Sequence, residues 1–187
     1  MGHSLITAPA TEPIALEEMK DHLRVVTDDE DGYIFDLISV ARDKIEEYLS
    51  LQMVTATWEL TQSTFGDPIE LPRWPLQSLT SIKYLDENNV EQPLASTIYE
   101  EVTNIYPGRV RLQYQQFWPN HLCHDDAVRI RYVAGYGQPE AVPPRAKHAI
   151  KMLAAHYYAI REPVVIGTIS VQIPEAYLSL LWSLRVR

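Results

Sequence analysis

The spacing of apolar and polar residues changes period twice along this chain, and the two changes divide it into helices, then strands, then helices. Leu16, Met19 and Leu23 fall on one face of a helix predicted over 16–25, with Glu17, Glu18, Lys20, Asp21 and Arg24 on the other. Asp28-Asp29-Glu30-Asp31 then opens a second helix, where acidic groups complement the unsatisfied N–H groups of the first turn. In that helix Ile34, Leu37, Ile38, Ala41, Ile45, Tyr48 and Leu49 recur at steps of three and four and make a wide apolar stripe. The short link between the two predicts an antiparallel pair.

From Val54 the period is two. Val54, Ala56, Trp58 and Leu60 alternate with Thr55, Thr57, Glu59 and Thr61, the pattern of a half-buried strand. Gly66-Asp67-Pro68 predicts a turn, and Ile69-Glu70-Leu71 resumes the alternation. Pro72 and Pro75 cannot donate ladder hydrogen bonds, so the strap around Trp74 belongs at an edge or outside the sheet. Strands over 79–85 and 90–94 flank the turn residues Asp86-Glu87-Asn88-Asn89. A further pair over 98–102 and 110–112 flanks Tyr106-Pro107-Gly108-Arg109, and Val128, Ile130 and Tyr132 mark the last strand. Short turns without helical crossovers predict antiparallel pairing.

Gly135-Tyr136-Gly137 reads as a turn that ends the sheet. Pro144 suits the first turn of a helix, where its missing N–H costs nothing. Ala146, Ala149, Ile150, Leu153, Tyr157 and Ile160 give that helix its apolar face before Pro163 stops it. A loop over 164–173, a final short helix after Pro174 and a basic tail Arg185-Val186-Arg187 complete the chain. Helices, then antiparallel strands, then helices make the fold class α+β.

Composition narrows the function classes. The formal net charge of −9 disfavours a DNA clamp, since phosphate contacts need clustered Lys and Arg, and it suits a surface that DNA passes without sticking. Cys123 is the only cysteine, so no intramolecular disulfide forms and a reducing compartment is expected. No apolar run approaches the ~18 residues of a membrane span. No secretory signal is expected at the N-terminus, and Met1-Gly2-His3-Ser4 is given no functional weight.

Candidate chemistry is sparse. Asp29, Asp31 and Gly32 imitate part of a calcium loop, but Thr27 and Ile38 stand where the first and twelfth ligands belong, so capping is the better reading. His121, Cys123 and His124 are metal-binding residue types close together, and a metal- or Cys-dependent enzyme built on them is the alternative from another class. No second Cys–His pair accompanies them. His148 and His156 are ~12 Å apart along one helix, too far to share an ion. Phosphate-loop and nucleophile-elbow motifs are missing. No cofactor, metal or catalytic residue is assigned. Trp74 and Trp182 are candidate interface anchors, since large aromatics dominate such contacts.

Three segments in order resemble the head–tail connector (adaptor, head-completion) family of tailed bacteriophages. They are Pro13–Val25 followed by Asp28–Asp31, the strap Leu71–Ile82, and Val128–Gly137 followed by Pro143-Pro144 and Ala149-Ile150. Ala15 departs from the Ser or Thr common before the first helix and weakens its cap. The resemblance implies a small helical core of two N-terminal and two C-terminal helices, residues 1–52 and 138–187, with an antiparallel β subdomain inserted at 53–137. It further implies a structural virion protein in the neck, assembled in the host cytoplasm. Its partners would be the portal protein, a tail-completion, stopper or tail protein, and itself, in a dodecameric ring that continues the DNA channel without binding DNA specifically. It also implies no membrane and no active site. Portal or subunit contacts are expected at Trp74, Val164, Val165, Ile166, Tyr177, Leu181, Trp182, Arg185, Val186 and Arg187, and deletion beyond Pro174 should abolish portal binding while the helical core stays folded. Another neck or tail-completion protein, of a phage, a prophage or a gene-transfer particle, is the neighbouring reading.

Overall fold

A computed structural model describes residues 2–160 and 175–184. Among them the chain forms eight strands and four α-helices, an α+β fold, in two compact units. One unit takes Met1–Ala10 with Ser50–Tyr136, and the other takes the described residues of Thr11–Leu49 and Gly137–Arg187.

The β unit holds two antiparallel sheets. The larger has the order β1 (Gly2–Thr7), β2 (Ala56–Gln62), β8 (Val128–Ala134), β4 (Leu76–Leu85), β5 (Glu91–Pro93). The smaller runs β3 (Ile69–Leu71), β7 (Gly108–Leu112), β6 (Tyr99–Val102). Inward residues of both sheets, Leu60, Ile69, Leu71, Leu76, Ile82, Val110, Ile130 and Tyr132 among them, share one core, which is why their strands alternate so cleanly in sequence. Two glycines are sterically required. A Cβ on Gly108 would stand 2.7 Å from that of Leu76, and Gly135 has φ +129° with the Thr55 backbone 2.9 Å from where its Cβ would be.

Strand β1 was not expected. Gly2–Thr7, which falls in the 1–52 segment grouped with the helical core, pairs antiparallel as β1 with β2 in the larger sheet. The six-residue run Gly-His-Ser-Leu-Ile-Thr offers no strict alternation to mark it, and its order comes from contacts distant in sequence.

In the helical unit, α1 (Leu16–Leu23) packs on α2 (Asp31–Leu49) and on α3 (Pro144–Ala159), and α4 (Glu175–Leu184) packs on α2 and α3. Ile34, Ile38, Ala41, Ile45, Ala149, Ile150 and Leu153 fill the centre. Ala15 stands at the α1 N-cap in extended conformation with no side-chain cap bond, as its methyl side chain dictates. Arg42 is held by Glu12 at 2.7 Å, Asp43 at 2.9 Å and Glu46 at 3.3 Å, so the nearly buried guanidinium has its charge met. A short 3-10 turn, Pro139–Ala141, precedes α3 and carries no apolar periodicity that would reveal it.

Helix α4 changes one expectation. Tyr177, Leu181 and Leu184 are buried in the helical unit. Deleting the chain beyond Pro174 would therefore strip core side chains as well as any contact surface.

Candidate functional site

The Trp74 strap is bonded into the β unit by its backbone and by its neighbours. Trp74 and Leu51 form an isolated parallel bridge, and the Gln52 N–H donates to the Trp74 carbonyl at 2.7 Å. The Gly135 N–H donates to the Pro75 carbonyl at 2.8 Å, and the Gln77 amide donates to the Gly135 carbonyl at 2.8 Å. The half-buried Trp74 ring meets Tyr106 and Tyr136 edge-on. The prolines do keep these residues out of a ladder, but the strap is fixed on both sides.

Arg73 extends this framework to β1. Its guanidinium donates to the Leu51 carbonyl at 3.0 Å and lies 4.5 Å from the centroid of the Trp58 ring. The His3 ring stacks on Trp58 at 4.5 Å and 9°, and Trp58 Nε1 donates to Gln52 at 3.0 Å. The Tyr132 hydroxyl accepts the Arg73 N–H at 3.3 Å and lies 2.8 Å from His3 Nε2. Burial raises the phenol pKa above its ordinary range, and burial followed by the Arg73 charge pushes His3 down to about 4. Both groups are neutral near pH 7, and the imidazole tautomer sets which of the two donates in this bond. His3 lies on an exposed strand, yet its ring face is covered by Trp58, and the shielded ring governs its titration.

Cross-strand pairing sets carboxylates against the cations of the sheets. Arg131 meets Glu59 at 2.8 Å, Lys83 meets Glu91 at 2.7 Å and Arg129 meets Glu91 at 3.5 Å. Arg109 meets Glu70 at 3.3 Å, and Arg111 meets Glu100. Three of these five pairs stand directly opposite each other in register: Arg131 with Glu59, Arg109 with Glu70, and Arg111 with Glu100. Guanidinium and ammonium groups already met by carboxylates make a poor phosphate clamp.

The other candidates fall in separate places. His121 Nδ1 lies 3.3 Å from the Pro119 carbonyl, and its ring packs edge-on to Phe65, which stacks on Trp118. His124 Nδ1 accepts the Asp126 N–H at 3.4 Å, and Cys123 is exposed. Among the described residues no three side chains of metal-binding type converge. Lys20 bridges Asp28 and Asp31 at 2.6 and 2.7 Å, supplying the cation beside the calcium-like acidic run. His148 meets His22 edge-on, not His156. Tyr177, with its phenol pushed up to about 12 by burial and then by Tyr157 and Tyr48, and Leu181 are spent on the helical core. Trp182 on the same helix is 62% exposed. Val164, Val165, Ile166, Arg185, Val186 and Arg187 lie outside the described residues.

Three solved structures of gene transfer agent (GTA) particles contain chains of this fold. The chain is 23% identical, with a TM-score of 0.82, to one from the neck of an empty GTA particle computed with C6 symmetry. It is 24% identical, TM-score 0.79, to one from the virion of a native GTA particle, and 22% identical, TM-score 0.80, to one from a native neck computed with C12 symmetry. Each alignment covers 100% of this chain and 97% of the other. No curated protein matches. The model of the phage gp6-like head-tail connector proteins matches residues 13–106, just over half of the 187-residue chain, spanning the first two helices, the strap and most of the strands. The chain belongs to the phage gp6-like head-tail connector family.

Proposed function

We propose that this chain is a structural virion protein, a head–tail connector whose copies form a ring between the portal and the tail and continue the DNA channel. The family match over residues 13–106 carries this reading. The GTA necks computed with C6 and C12 symmetry support repeated copies around an axis, and a dodecamer is the ring we favour. The protein acts in the neck of the particle, after assembly in the host cytoplasm, and its work is done by shape, without bond-making chemistry. A net charge of −9 and strand cations paired with carboxylates suit a wall past which DNA slides.

The portal face, in this reading, includes exposed Trp182 and the basic tail Arg185-Val186-Arg187, with Val164, Val165 and Ile166 at a portal or subunit contact and a tail-completion, stopper or tail protein on the opposite side. Trp182→Ala combined with removal of residues 185–187 leaves Tyr177 and Leu181 in place. Portal capture by this variant should fall to background with its thermal unfolding unchanged. Capture equal to the parent's would contradict the assignment of this face.

A further inference from the structure

Among the described residues four strands stand at sheet edges, and three of them are defended. Strand β5 is three residues long, ends in Pro93 and engages Glu91 in ion pairs. Strand β3 is equally short and lies between Pro68 and Pro72. Strand β6 carries Glu100, paired with Arg111, and Glu101, whose carboxylate accepts the Leu79 N–H at 2.8 Å. Short length, proline and charge are the devices that keep an open edge from recruiting another strand.

Strand β1 has none of these three. Gly2–Thr7 contains no proline and no Lys, Arg, Asp or Glu, and all six residues are exposed, Leu5 and Ile6 at 46% and 44%. It pairs with β2 alone among the described residues. The register shifts once, between Leu5 and Thr7, and Gly2–Leu5 is a regular run. Alternate residues of such a strand turn their N–H and C=O groups away from the sheet. The stack of His3 on Trp58 and its bond to Tyr132 hold the inner side, so the outer side is presented on a fixed support.

We propose that the outer edge of β1 joins subunits by taking an extended segment of a second copy of this chain as an added strand. This rests on the ring reading above. A ring closes through heterologous contacts, in which two different surfaces of each copy meet, so β1 needs a counterpart other than itself. The sequence offers one in Val164–Ile173, which has no charged residue and ends in Ile169-Ser170-Val171-Gln172-Ile173, a strict apolar–polar alternation. Pro163 and Pro174 bracket it and limit the length that can add. Main-chain hydrogen bonds would give such a joint its affinity, and alternate side chains its register.

The test uses full-length chains with Cys123→Ser, one carrying Ser4→Cys and the other Ser170→Cys, mixed, assembled on the portal and treated with a short bis-maleimide. A cross-linked heterodimer is expected in the mixture, with neither chain dimerising alone. Ser170→Pro with Val171→Pro should abolish rings in electron micrographs without lowering the melting temperature. Rings without a heterodimer would overturn the joint and leave the connector reading intact. A link confined to single chains when both cysteines are in one polypeptide would also overturn it. Absence of rings from the parent protein with its portal would overturn both readings.

Discussion

His3 fastens an otherwise exposed strand through one stacked face and one hydrogen bond, so its removal should be felt well beyond its own size. His3→Ala loses the stack on Trp58 and the hydrogen bond between the imidazole and the Tyr132 hydroxyl. We expect a loss of about 1–2 kcal/mol in urea unfolding, with faster amide exchange in β1. The same residue predicts a pH dependence. Its pKa is about 4 when folded and 6.5 ordinarily, so the unfolded chain takes up the proton first as pH falls. Stability should decline between roughly pH 6.5 and 4, and His3→Gln should flatten that part of the profile. Sequence gave no hint of this role, because a lone histidine in a short uncharged run acquires its partners only when Trp58, Arg73 and Tyr132 converge from three other segments. Trp74 shows the converse. Its bracketing prolines were legible as a break in the ladder, whereas the Gln52 bond and the Tyr106 and Tyr136 contacts that hold it were not.

At the scale of elements, the helices and most strands were readable because each has one buried face, and burial imposes a period of 3.6 or two on the sequence. The first helix is the weak member. Ala15 already has the extended backbone of an N-cap, φ −71° and ψ 152°, and lacks only a side-chain acceptor. Ala15→Ser should therefore raise stability by about 0.5–1 kcal/mol in urea unfolding. The Glu12–Arg42 contact ties the chain ahead of α1 to the middle of α2. Glu12→Ala leaves a nearly buried guanidinium short of a partner and should cost about 3 kcal/mol by the same measurement. What pattern could not supply is the sheet order. Strand β8, last in sequence, lies between β2 and β4, and such long-range pairing is set by complementary registers that no local window contains. The pairing of β1 with β2 is likewise invisible to any local window.

For the whole molecule, membership of the head-tail connector family points to a body that works through its surfaces. The candidate surface residues were read less completely than the fold. Tyr177 and Leu181, expected at a portal or subunit contact, are buried on α4, while Trp182 is exposed. A ten-residue helix with apolar residues on much of its circumference does not declare which side is core until its neighbours are placed. If copies of this chain build the collar beneath the portal, electron cryomicroscopy of the parent particle will reveal them there. A ring of density between portal and tail should accept the helical and β units as repeated copies; particles that complete head and tail with this polypeptide absent from the neck would rule out that role.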